Sequence, residues 1–235
     1  MLKVKNSSVV INRNLILDNL SFTVQSGSIC YILGHNGSGK STLLKAILGI
    51  TRLSEGNIYL NDIDVNPYSR LQFLTFTGAM IEKASFYGHL TIRENLDIVR
   101  RYYNDIPYSR INYILDLMSC PVALQDRSCK YLSMGWKQRL GVGIAFMHNP
   151  RIILLDEPTS TLDPEAAASL LMLVSNMNYE HKTTFVISSH QLTEVNNLAS
   201  QVIILKEGQL AFDSSVTNEM VKSTLWQDVY QKVNS

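Results

Sequence analysis

Gly34-His35-Asn36-Gly37-Ser38-Gly39-Lys40-Ser41 is the stretch on which the fold turns, and Thr42 follows it. It satisfies G-x-x-x-x-G-K-[ST] at every specified position. Ahead of it, Ile29 to Leu33 is a short apolar run of the kind that forms a buried strand; behind it, Lys40 to Leu48 is spaced as a helix that ends near Gly49. Strand, glycine-rich loop and helix in that order make a phosphate cradle. The glycines let the backbone curl until successive N–H groups point inward, and the helix adds the positive end of its dipole. Lys40 brings a point charge for β- and γ-phosphates, and the Ser41 hydroxyl is placed for Mg²⁺. Gly34, His35, Asn36, Gly37, Ser38, Gly39, Lys40, Ser41 and Thr42 are therefore the expected nucleotide-binding set.

The rest of the chain agrees with an α/β fold. Leu15 to Val24 alternates as a strand, Gln25 to Gly27 reads as a turn, and Glu55-Gly56-Asn57 as another turn before a strand at Ile58 to Leu60. From Thr91 to Met118 the pattern is helical, with Leu96, Val99, Tyr102 and Tyr103 on one face, then Ile111, Ile114, Leu115 and Met118; Asn104 to Pro107 divides the two helices. Ile152 to Leu155 is an unbroken aliphatic run, which suits a parallel strand buried on both faces. Thr184 to Ser188 and Gln201 to Leu205 are similar, with a helix around Leu192 to Leu198 between them. Alternation of this kind predicts a mainly parallel sheet. Val216, Met220, Leu225, Trp226, Val229 and Val233 predict an amphipathic terminal helix packed on its own domain.

The second half of the site follows from position. Asp156 and Glu157 close the aliphatic strand at Ile152. In an NTPase of this build Asp156 contacts Mg²⁺, and Glu157 is the candidate general base for the water that attacks the γ-phosphate. His190 ends the next apolar strand, where an imidazole can sense the γ-phosphate. Catalytic roles are thus expected for Glu157, His190 and Lys40. The side chains of His35, His89, His148 and His181 read as structural.

Lys plus Arg number 21 and Asp plus Glu 20, a net charge of +1 that gives no support for nucleic acid as the partner. Cys30, Cys120 and Cys129 have no metal-ligand spacing and read as reduced, buried thiols. No apolar run reaches the ~18–20 residues that span a bilayer, so any membrane role is expected to run through another polypeptide.

With these motifs in order, the chain resembles the ABC transporter ATPase family over roughly residues 15 to 210. Leu132-Ser133-Met134-Gly135-Trp136-Lys137-Gln138-Arg139 is similar to the family signature L-S-G-G-Q with its Q-R, Ser160-Thr161-Leu162-Asp163 to its D-loop, and His190 to its switch histidine. The resemblance implies an α/β P-loop NTPase of ABC ATPase type: a mainly parallel sheet core with flanking helices, an N-terminal antiparallel β part and an inserted helical subdomain. Residues 1–77 and 136–215 would form the core, 78–135 the Q-loop and helical insert with the signature, and 216–235 the terminal helix. It implies ATP and Mg²⁺ as cofactors, ATP hydrolysis, and a head-to-tail pair with a second ATP-binding subunit. Ser133, Gly135 and Asp163 would meet nucleotide across that pair. Separate transmembrane permease subunits would hold the chain at the cytoplasmic side of the membrane, with no nucleic acid involved.

The chain departs from the pattern in three ways. Met134 and Trp136 replace Gly and Gln of the signature, and the bulk of Met134 can slow one composite site. Ile11 or Val10 stands where the family stacks an aromatic on adenine, which weakens base selectivity. Glu82 takes the place of the Q-loop glutamine and is the third expected metal-site residue beside Ser41 and Asp156. A Glu there, followed by Phe86-Tyr87, Leu90-Thr91 and Glu94-Asn95-Leu96, resembles the bacitracin-resistance and lantibiotic-immunity exporters, as does Lys137 to Gly141.

Overall fold

The computed structural model describes residues 1–103, 105–192 and 195–216. Apart from Val216, the expected terminal helix lies outside the described residues.

Among the described residues, ten strands and eight α-helices make two sheets and their cover. The strands are β1 Leu2–Ile11, β2 Asn14–Val24, β3 Ile29–Leu33, β4 Glu55–Leu60, β5 Ile63–Asp64, β6 Thr77–Met80, β7 Ile152–Asp156, β8 Thr184–Ser189, β9 Gln201–Lys206 and β10 Gln209–Ser215. The helices are α1 Lys40–Ile47, α2 Arg70–Leu74, α3 Ile92–Tyr102, α4 Ser109–Leu117, α5 Val122–Gln125, α6 Met134–Phe146, α7 Pro164–His181 and α8 Val195–Leu198. The larger sheet has the order β10-β9-β3-β8-β7-β6, parallel from β9 to β6 with β10 antiparallel at its edge. Every residue of β3, β7 and β8 is buried, as their unbroken apolar runs require. The smaller sheet is antiparallel, in the order β2-β1-β4-β5.

Most predicted elements stand within one or two residues of their expected bounds. At Glu55-Gly56-Asn57 the outcome differs: these residues open β4 instead of forming a turn. Gly56 has φ +77°, and the register of β1 against β4 shifts between Lys5 and Ser8. A bulge therefore stands where a turn was expected, and a Cβ at Gly56 would lie 2.1 Å from the Asn6 carbonyl oxygen. Helix α6 starts at Met134 because Ser133 caps it, its hydroxyl accepting from Trp136 N at 3.4 Å.

Two cores share the large sheet. On one face β1, β2, β4 and α1 bury Leu17, Leu20, Leu43, Leu44 and Ile58 against the sheet. On the other face one continuous cluster joins the sheet to α3, α4, α6 and α7. Helix α3 begins in a reciprocal cap: Thr91 Oγ1 accepts from Glu94 N at 3.1 Å while Glu94 Oε2 accepts from Thr91 N at 2.8 Å.

Polar and aromatic side chains add to this packing. Arg110 of α4 donates to the carbonyls of Phe146 and Met147 at the end of α6, at 3.0 and 3.1 Å. Tyr103 stacks on His148, with centroids 4.4 Å apart and planes 4° from parallel. His148 Nε2 donates to the Thr77 carbonyl at 3.2 Å, where β6 begins. Burial pushes the His148 pKa down to about 4; the bond to Thr77 opposes this and the Arg110 charge adds to it.

The neutral His148 ring makes the fold sensitive to acid. Its folded-state pKa lies below the ordinary histidine value, so the unfolded chain takes up the proton first as pH falls from about 6.5 towards 4. Stability from this residue is full above pH ~6.5 and declines through that window, by about 2 kcal/mol between pH 7 and 5. Denaturant unfolding of wild type and His148→Gln at both pH values should show a shallower pH dependence in the variant by that amount. Equal pH dependence would show that His148 is protonated without cost.

Candidate active site

The parallel register sets the site. Ile32 of β3 pairs with Ser188 of β8, and Ser188 pairs with Asp156 of β7. The loops that follow these strands therefore emerge side by side at one sheet edge. There they carry Gly34 to Ser41, Asp156-Glu157 and Ser188 to His190.

Gly37 and Gly39 of the first loop have φ +85° and +103°, conformations a side chain resists. A Cβ at Gly34 would fall 2.5 Å from the Leu205 carbonyl oxygen, so the loop lies directly on β9. The loop closes on itself where Ser38 N donates to His35 O at 3.2 Å. Ser38 Oγ is buried without a hydrogen-bond partner. His35, Asn36 and Gly37 are exposed at the rim. Lys40 is buried, and its ammonium donates to Gly34 O at 2.8 Å and His35 O at 3.1 Å. The same nitrogen lies 3.3 Å from Glu157 Oε1. All three ammonium donors thus converge on the mouth of the loop. Ile16, the loop and Glu157 wall an open cleft of about 330 Å³ that also takes in Ser41 and Thr42.

Asp156 is buried, and its Oδ1 accepts from Ser41 Oγ at 3.1 Å and Ser188 Oγ at 2.6 Å. Ser188 also accepts from Glu157 N at 2.9 Å, so one hydroxyl fixes both acids. Glu157 sits at φ +45°, a strained position for a side-chain-bearing residue. That backbone turn goes with its carboxylate lying between Lys40 and His190, whose Nδ1 is 3.2 Å from Oε2. Ser188 is the member that sequence reasoning passed over. Its signal was a hydroxyl in an otherwise apolar strand, which a strand assignment absorbs without comment.

The other expected residues are placed differently. Ser133 and Gly135 lie outside the phosphate-loop cleft; they line a second one with Trp136, Arg139, Ala166 and Ser169. Met134 between them is half exposed. Asp163 caps α7, its Oδ1 accepting from Ala166 N at 2.8 Å. Glu82 follows β6 two residues beyond Met80, which pairs with Leu155. Its carboxylate meets Lys45 at 2.5 Å instead of Ser41 or Asp156, and the Lys45 ammonium holds it below the usual carboxylate range. Cys30, Cys120 and Cys129 are free and buried, and burial pushes the Cys120 thiol up to about 11, so these thiols are unreactive.

Lys40 carries the only formal positive charge among the residues lining the cleft. Lys40→Ala is expected to abolish tight nucleotide binding as well as turnover. A fluorescent-nucleotide titration checks this, and wild-type affinity in the variant would show that the loop does not hold phosphate.

Comparison with known proteins agrees with this geometry. Residues 17–160 match the ABC transporter family. The chain is 34% identical over 83% of its length to the bacitracin transport ATP-binding protein BcrA of Bacillus licheniformis, and covers 63% of that protein. It is 30% identical over 91% of its length to the lantibiotic transport ATP-binding protein SrtF of Streptococcus pyogenes, covering 90% of it. Its fold matches the dimeric structure of the ATP-binding cassette MJ0796 in a post-hydrolysis state bound to ADP and Pi, with TM-score 0.82 and 24% identity over 93% of this chain and 100% of that one. A phosphate loop, a strand-end acid pair and an α/β cassette fold, joined by that match, make the chain an ATPase of the ABC transporter family, one of its ATP-binding subunits.

Proposed function

We propose that the chain drives export of an antimicrobial peptide, an antibiotic or a related amphipathic substrate from a bacterial membrane. The observation that carries the chemistry is Glu157, turned out at the end of β7 between Lys40 and His190. Lys40 and the loop N–H groups take the phosphates. Glu157 accepts the proton of the attacking water, and His190 orients Glu157 and meets the γ-phosphate. A phosphate entering the loop competes with Glu157 for the Lys40 ammonium, which frees the carboxylate for its role as base.

Mg²⁺ fits the donors present. Asp156 is a buried carboxylate that makes no ion pair among the described residues, and the Ser41 hydroxyl stands beside it. Mg²⁺ keeps several waters and takes one or two protein oxygens besides phosphates. It thus needs no larger cluster, and none of three or more acidic, His or Cys side chains occurs among the described residues. Bound there, Mg²⁺ would neutralise charge on the phosphates. Asp156 and Ser41 would hold the ion, and Glu82, in the loop after β6, would join them only by leaving Lys45.

Ser133 and Gly135 sit at the start of α6, apart from the phosphate loop of their own chain, and face outward with Met134. A second ATP-binding subunit placed head to tail would bring its nucleotide to them, as the dimeric MJ0796 cassette suggests. Among the described residues no helix is long and apolar enough to cross a membrane. In the proposed assembly a separate permease would supply the path, with this chain on its cytoplasmic face. The substrate class rests on BcrA and SrtF, together with Glu82 at the position that marks their subgroup. A division into a core of 1–77 and 136–215 with an insert at 78–135 would be bridged by Arg110, which donates to the Phe146 and Met147 carbonyls, and by Tyr103, which stacks on His148.

Glu157→Gln keeps the size of the side chain and removes the base. Turnover should fall by on the order of 10²–10⁴ while ATP still binds, so the variant accumulates as an ATP-bound dimer by light scattering. Undiminished turnover would show that Glu157 is not the base. Co-purification with a permease from membranes, followed by ATPase assay with bacitracin and with a lantibiotic, tests the substrate. Stimulation by neither would overturn the export reading.

A further inference from the structure

The turn that follows β6 is strained. Lys83 N donates to Ile81 O at 2.8 Å, which closes a three-residue γ-turn centred on Glu82, and Glu82 has φ +64°. A γ-turn with its centre at positive φ is rare, and a glutamate gains nothing from that conformation by itself. What accompanies it is a contact: Lys45 Nζ meets Glu82 Oε1 at 2.5 Å. Lys45 lies four residues after Ser41 on α1, on the same helix face one turn further on. Ser41 in turn is bonded to Asp156. Glu82, Lys45, Ser41 and Asp156 are thus linked in turn by an ion pair, one turn of α1 and a hydrogen bond.

We propose that Lys45 is the positioning residue for Glu82. Its ammonium holds the Glu82 carboxylate one helical turn beyond Ser41, and the carboxylate reaches the Ser41–Asp156 cation site only on release from Lys45. This rests on Glu82 joining that site, as argued above. Lys45 and Glu82 are both part exposed, with side chains 32% and 66% accessible, so water screens the pair. The pair is therefore weak enough to open during a nucleotide cycle, and its loss reads as a modest shift.

The measurement is binding of a fluorescent ATP analogue as a function of Mg²⁺ concentration, without turnover. Lys45→Met should lower the Mg²⁺ needed for half-maximal binding by about two- to fivefold, since Glu82 is then free to approach. Lys45→Arg keeps the pair and should match wild type. Lys83→Met removes an equal charge from the neighbouring residue and leaves the pair in place; it should shift the value by less than about 1.5-fold, a screened effect of charge alone. Glu82→Gln should raise the Mg²⁺ requirement, and in that background Lys45→Met should do no more than Lys83→Met. Equal shifts from Lys45→Met and Lys83→Met, or a rise with Lys45→Met, would overturn the positioning role while leaving Glu82 at the site. An unchanged Mg²⁺ dependence in Glu82→Gln would remove Glu82 from the cation site, and both proposals with it.

Discussion

Parallel strands ending at a common sheet edge are the constraint on which the site depends. Ile32, Ser188 and Asp156 stand at one level across β3, β8 and β7. A parallel pairing gives every strand the same direction, so the segments after β3, β7 and β8 leave the sheet together. Residues far apart in the chain then meet: Lys40 and His190 each come within 3.3 Å of Glu157. A slip of one residue in β7 would turn Asp156 to the opposite face of the sheet and break its bond to Ser41.

That edge carries concentrated local strain. Glu157 and Glu82 both have left-handed backbones without being glycine. Each is held by polar neighbours, Glu157 by the Lys40 ammonium and the His190 ring, Glu82 by the Lys45 ammonium. Strained conformations persist where surrounding contacts over-determine them. Here the surrounding contacts are ion pairs and hydroxyl bonds, which nucleotide phosphates can rearrange. The hydrophobic strands beneath have no such freedom, since β3, β7 and β8 are buried along their whole length.

The insert reports on this edge through packing. Its helices α3 and α4 share one apolar cluster with α6, α7 and the sheet. Arg110 and His148 add directional bonds at the end of that cluster remote from the signature. Ser133, at the other end of α6, begins the helix that Arg110 finishes.

Much of this was legible in the chain. The phosphate loop, the strand before it, the helix after it and the acids at the end of β7 are local patterns, because each depends on residues adjacent in sequence. Apolar runs gave the buried strands for the same reason. Other features are set by distant partners. Gly56 looks like a turn residue, and only pairing with β1, where Asn6 and Ser7 bulge opposite it, makes it part of β4. Ser188 looks like a strand residue, and only the register of β8 against β7 makes it the hydroxyl shared by Asp156 and Glu157. Glu82 was found by its position in a motif, but its partner is Lys45, which stands 37 residues earlier and carries no motif signal. By itself the sequence determined which groups could do the chemistry; the tertiary structure decided which of them meet, because side-chain contacts across a sheet edge follow from strand register and helix docking, and neither is written in any local run of residues.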